Sequence, residues 1–84
     1  MARLLYFAWL KTHTGTAEEE VTLPGEVTTV GELLAWLPSR GPGYARALED
    51  PKLIRVAVNQ EYARPGDPVR AGDEIALFPP VTGG

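Results

Sequence analysis

The end of the chain carries the residues whose type and spacing could do chemistry. The double proline Pro79-Pro80 is followed by Val81-Thr82-Gly83-Gly84. A terminal carboxylate becomes an acyl donor once it has attacked the α-phosphate of ATP and formed a mixed anhydride. Glycine has no side chain, so the last two residues could enter a narrow channel of another enzyme. The two prolines would form a stiff base that projects the tail. We therefore predict a reactive tail over residues 79–84, with Gly84 as the reacting residue.

The rest of the chain offers few groups for catalysis or metal binding. It has no cysteine, His13 is the only histidine and Ser39 is the only serine. Thiolate chemistry is thereby excluded, and neither a zinc site nor a Ser/His/Asp triad can be assembled. With 84 residues the chain forms one domain with little room for a deep pocket. We expect no metal, no stably bound cofactor and no self-contained active site.

The net charge and the hydropathy of the chain limit the kinds of molecule that it could bind. The net charge is −3 and no run of basic residues is present, which argues against nucleic acid. The longest apolar segment, residues 4–10, is too short for a membrane span or a signal peptide. The absence of cysteine fits a cytoplasmic protein. We therefore expect protein partners.

The order of predicted elements indicates an α+β fold. Residues 29–37 begin with a capping box at Thr29 and Glu32 and carry one apolar stripe, which predicts the main helix. A turn is expected at 12–16 and a short second helix at 44–49. Strands are predicted at 3–11, 18–23, 53–59, 62–63 and 74–78. This order suggests a ubiquitin-like β-grasp: a mixed sheet of four to five strands, with its first and last strands parallel at the centre and one main helix on one face. We assign residues 1–78 to the domain and 79–84 to the tail.

Side-chain alternation predicts an apolar surface beside the tail. One helix covers only one side of the sheet, so alternate residues of the first and last strands face either the core or the open side. We assign to the core Leu4, Tyr6, Leu10, Ile75, Leu77 and the helix stripe of Val30, Leu33, Leu34 and Leu37. The open face then carries Leu5, Phe7, Trp9 and Phe78, which we predict to bind a partner. An alternative remains open, because a register error of one residue would place Phe7 and Trp9 in the core.

Three segments of the sequence resemble the small subunit of molybdopterin synthase. They are Tyr6-Phe7-Ala8, Val58-Asn59-Gln60-Glu61 and, most specifically, the block from Gly72 to Gly84. The resemblance extends over essentially the whole chain. It implies that an E1-like enzyme uses ATP to adenylate Gly84, and that a sulfur donor protein converts the adenylate to a thiocarboxylate.

The same resemblance implies the acceptor of the sulfur. The tail would enter the large synthase subunit and donate its sulfur to cyclic pyranopterin monophosphate, building molybdopterin for the molybdenum cofactor. It also implies a heterotetramer of two small and two large subunits. Phe7 and Phe78 would lie at the interface between them. The chain would then be a sulfur-donating subunit that is not catalytic on its own.

Three other readings remain open from sequence. A thiamine-pathway sulfur carrier shares the fold, the Gly-Gly end and the activation chemistry, but is usually shorter. A ubiquitin-like modifier would join Gly84 to a lysine of a target protein. A plain interaction module would carry an inert tail, since a terminal Gly-Gly alone is a weak signal.

Overall fold

The fold is a five-stranded mixed sheet with three short helices on one face. The computed structural model describes residues 1–80. The strands run β1 Ala2–Tyr6, β2 Glu18–Val21, β3 Arg55–Val58, β4 Glu61–Ala63 and β5 Glu74–Phe78, and the helices are α1 Trp9–Thr14, α2 Val30–Trp36 and α3 Pro42–Ala47. The sheet order is β2-β1-β5-β3-β4, with β1 parallel to β5 and the other neighbours antiparallel. The predicted β-grasp is therefore confirmed, with β1 and β5 parallel at its centre.

The prediction of one long first strand is wrong. β1 ends at Tyr6, and α1 occupies the part of the chain that we expected to be strand and then turn. Ala8 turns the chain with φ 55° and ψ −128°, a conformation that is costly for a residue with a Cβ. α1 ends at Gly15, which is in the left-handed conformation and donates its amide to the Lys11 carbonyl. In a short run of apolar residues, the sequence pattern of a strand and that of a buried helical turn look alike. Hydrophobic periodicity therefore could not distinguish the two structures.

The helical layer is shared by three short helices. α2 begins with the predicted capping box, in which the Thr29 hydroxyl accepts from the Glu32 amide and the Glu32 carboxylate accepts from the Thr29 amide. Its stripe packs on the sheet, with Val30, Leu33 and Leu37 buried. Past α2, a 3₁₀ turn that contains Pro38 continues over Leu37–Arg40, and α3 follows it. The short second helix predicted at 44–49 is thus found as α3, two residues earlier, whereas α1 and the 3₁₀ turn were not expected.

The core lies between the sheet and the helices. The residues assigned to it from the first and last predicted strands are all buried, and none exceeds 3% exposure: Leu4, Tyr6, Leu10, Ile75 and Leu77. Of the helix stripe, Leu34 is only partly buried and packs against the core. β3 and β4 are joined by Asn59 and Gln60, both with positive φ, as a two-residue hairpin requires. The Asn59 side chain also bonds the Asp73 carboxylate and the Glu74 amide, which fixes this hairpin to the start of β5.

Glu19 lies in the acidic run of residues 18–20, but its side chain is half-buried. One carboxylate oxygen, Oε2, accepts hydrogen bonds from Tyr6 (2.7 Å), Tyr44 (2.8 Å) and Arg40 (2.8 Å). Burial alone would raise the pKa of the Glu19 carboxyl, but these hydrogen bonds outweigh it and lower that pKa. Burial, and then the bond to Glu19, raises the pKa of the Tyr6 hydroxyl. Glu19 therefore joins β2 to the helical layer through a charged hydrogen-bond cluster.

No helix within residues 1–80 is both long enough and apolar enough to cross a lipid bilayer.

Candidate functional site

The predicted tail starts where the central strand ends. β5 ends at Phe78, and Pro79 and Pro80 follow it, both half-buried. The Phe7 amide donates to the Leu77 carbonyl at 3.1 Å, so β1 supports β5 up to its last residues. The predicted site residues Val81, Thr82, Gly83 and Gly84 lie outside the described residues. The role of Gly84 and the division between domain and tail therefore stay predictions.

An apolar surface lies beside this point on the side of the sheet that carries no helices. Phe7 is 49% exposed, and Leu5 and Phe78 are half-buried. Leu5 pairs with Ala76 in the parallel ladder, which places small and apolar side chains at the middle of this open face. Three of the four residues assigned to the open face are thus found there. Their part in binding a partner stays a prediction.

Trp9 does not belong to this surface, contrary to the sequence prediction. It is the first residue of α1, packs against the buried core and donates from its indole Nε1 to the Ala47 carbonyl at 3.3 Å. The turn at Ala8 is the physical reason, because it breaks the alternation that would have put Phe7 and Trp9 on one face.

Tyr62 is the member of this surface that sequence analysis missed. It is 76% exposed on β4, opposite Ala57 of β3. Its ring lies 5.9 Å from that of Phe78, with 57° between the ring planes. The signal that could have found it is the two-residue turn at Asn59 and Gln60. That turn fixes how β4 pairs with β3, and the pairing places Tyr62 on the open face. We name Leu5, Phe7, Tyr62 and Phe78 the aromatic patch.

The described residues contain little that could carry out catalysis alone. Within residues 1–80, no three His, Cys, Asp or Glu side chains come together as metal ligands. His13 is exposed on α1. The arrangement can present an apolar docking surface and hold the root of a chain end beside it.

Comparisons with known proteins agree with this architecture. Residues 4–84 match the ThiS family. The sequence is 40% identical over 84 residues to the molybdopterin synthase sulfur carrier subunit of Escherichia coli, with 100% of each chain covered. It is 37% identical to the human protein of the same name, with 96% of this chain and 91% of the human chain covered.

A relative with a different name is also similar. Small archaeal modifier protein 1 of Haloferax volcanii is 39% identical over 83 residues, covering 93% of this chain and 94% of its own. Its crystal structure superimposes with a TM-score of 0.73 and covers 99% of this chain and 98% of that one. The family match and these relatives extend over nearly the whole chain, and the chain therefore belongs to the ThiS family.

Proposed function

We propose that this chain is the sulfur carrier subunit of a molybdopterin synthase, working in the cytoplasm and not catalytic on its own. The observation that carries the proposal is the full-length similarity to proteins of that name, 40% in the E. coli case. The exposed aromatic patch at the root of the tail supports it, because a carrier must be recognised by other proteins. The similarity runs through the Gly-Gly end, where the chemistry would take place.

The proposed chemistry takes place entirely at Gly84. In an E1-like activating enzyme, a carboxylate oxygen attacks the α-phosphorus of ATP and pyrophosphate leaves. Hydrosulfide delivered by a sulfur donor then attacks the acyl carbon, AMP leaves, and Gly84 becomes a thiocarboxylate. In the large synthase subunit, this sulfur is transferred to cyclic pyranopterin monophosphate on the way to molybdopterin. ATP belongs to the activating enzyme, so the carrier itself needs no stably bound cofactor.

The aromatic patch is the proposed contact with the large subunit. Phe7 and Tyr62 offer large exposed apolar surface, and aromatic side chains contribute strongly to protein interfaces. Because β5 ends beside this patch, docking there would direct the tail into the large subunit. We propose an assembly of two small and two large subunits.

The test is the intact mass of the protein after incubation with ATP, an E1-like activating enzyme and sulfide. The expected result is a gain equal to the replacement of one oxygen by sulfur, which is absent when Gly84 is deleted. Addition of the large subunit and cyclic pyranopterin monophosphate should return the mass to its original value. An unchanged mass with an activating enzyme that is competent on a known carrier would refute the proposal.

A second candidate is a ubiquitin-like protein modifier. It is favoured by the 39% identity to small archaeal modifier protein 1, which is close to the 40% identity to the E. coli synthase subunit. Both functions begin with adenylation of Gly84. Conjugates to lysine in the same incubation, supplemented with cell extract, would favour the modifier.

A further inference from the structure

Two arginines lie at the corner of the open face next to Phe78. Arg55 pairs directly with Phe78 across β3 and β5. Arg55 is the first residue of β3, and Arg64 directly follows Ala63, the last residue of β4, which pairs with Val56. Both arginines are exposed. Since side chains alternate along a strand, both fall on the face that carries Tyr62 and Phe78. The corner therefore places two positive charges against the aromatic patch.

No acidic residue in the described part of the chain neutralises this corner. The ion pairs found within residues 1–80 are Arg3 with Glu18 and Arg40 with Glu19. Asp67 Oδ2 accepts a hydrogen bond from the Arg64 backbone amide at 2.8 Å but forms no ion pair with the Arg64 guanidinium group. Like charges on facing residues of a sheet are destabilising. Neither guanidinium group has a carboxylate partner among residues 1–80, so both can bind carboxylates of another protein.

The diagonally opposite corner of the same face has the reverse charge. Arg3 pairs with Glu20 on β2 and with Glu74 on β5, and it forms an ion pair with Glu18. One arginine among three carboxylates leaves that corner negative. The open face is thus polarised: its corner on β3 and β4 beside Phe78 is positive, whereas its edge on β1 and β2, where Glu18 lies opposite Leu5, is negative. A binding surface of this kind selects one orientation of its partner.

We propose that Arg55 and Arg64 bind carboxylates on the large synthase subunit, next to the site that receives Phe78, and so fix the orientation in which the tail enters. This inference rests on the proposed function. Complementary charges at an interface act mainly on the association rate and on specificity. The two arginines are therefore docking residues, and their effect should be measurable as a change in the rate of complex formation.

The test compares Arg55→Glu and Arg64→Glu with Arg46→Glu. Arg46 is exposed on α3, in the helical layer away from the open face, and its reversal changes the net charge by the same amount. The association rate of the full chain with the large subunit is measured by stopped flow at low and high salt. At low salt we expect about a fivefold or larger decrease for the first two variants and less than about twofold for Arg46→Glu. The differences should shrink at high salt because screening weakens the charge contacts.

The controls distinguish misfolding of a variant, a general effect of net charge and failure of the proposed function. Circular dichroism must match wild type, and Arg55→Gln replaces any variant that misfolds, with a smaller decrease expected. Equal effects of all three reversals would mean that only net charge matters, and they would overturn the inference. So would an unchanged or faster association of Arg55→Glu. A wild-type chain that forms no complex would refute the proposed function itself, and the inference with it.

Discussion

Replacing Phe7 by alanine should weaken docking to the large subunit while leaving the fold intact. The Phe7 residue is 49% exposed. An aromatic side chain has about 200 Å² to bury, so about 100 Å² of Phe7 is available to a partner. At about 25 cal/mol per Å², its burial would contribute about 2.5 kcal/mol to binding. The Phe7→Ala variant should therefore bind the large subunit about 60-fold more weakly.

Leu77→Ala is the matched control for the fold. Leu77 is fully buried on the core side of β5, and its carbonyl accepts from the Phe7 amide. Truncating such a leucine costs about 3–5 kcal/mol of unfolding free energy, because it leaves a cavity as well as losing apolar burial. Phe7→Ala should cost less than this, about 2 kcal/mol, because only about half of the Phe7 side chain is buried in the fold. Urea unfolding followed by circular dichroism measures both variants, and titration calorimetry gives the dissociation constant for Phe7→Ala.

Two results would refute this reasoning. If Phe7→Ala binds as tightly as wild type, the aromatic patch is not the docking surface. If it loses as much unfolding free energy as Leu77→Ala, Phe7 supports the core, and the reading of the open face is wrong.

Three further predictions concern the stability of the fold. Glu19→Gln should lower the free energy of unfolding by about 2 kcal/mol at neutral pH, whereas the exposed Glu20→Gln should change it by less than about 0.5 kcal/mol. Because the pKa of Glu19 is lowered by folding, its contribution is present above the ordinary value of 4.5 and is lost as pH falls below it, so urea unfolding of Glu19→Gln and wild type should converge in acid. Ala8→Gly should raise the melting temperature by relieving the positive φ, a gain of about 1 kcal/mol, and no gain would show that Ala8 is unstrained. Gly43→Ala should cost about 2 kcal/mol in urea unfolding, because a Cβ there would collide with the His13 carbonyl oxygen; an unchanged midpoint would contradict this close packing of α1 and α3.

Elements with strong local signals were predictable from sequence. The bounds of β5 agree with the prediction. Its residues have the alternating pattern of a strand, and a turn before them and a double proline after them mark its two ends. α2 begins at its capping box because Thr29 and Glu32 satisfy free amides within their own turn. α2 ends at Trp36, one residue before the predicted end at 37, and a 3₁₀ turn that contains Pro38 carries the chain on to Arg40.

Features that depend on distant residues were not predictable in this way. Glu19 lies in an acidic run that resembles a solvated edge, and only the approach of Tyr6, Arg40 and Tyr44 turns its carboxylate inward. Tyr62 joins the aromatic patch because the hairpin register sets it beside Phe78. Neither contact leaves a trace in local periodicity, since the partners are far apart in sequence.

The sequence by itself determined the fold class and most of the core residues, because alternation and capping are local properties of the chain, and it predicts a reactive tail from the Gly-Gly end. Tertiary structure decided which apolar residues stay exposed. Phe7 and Trp9 are two positions apart, so in a continuous strand both side chains would lie on the same face of the sheet. The backbone turn at Ala8 instead leaves Phe7 on the open face and packs Trp9 against the core. That turn is stabilised by the burial of Leu10 and the packing of α1 on α3, which no local pattern encodes.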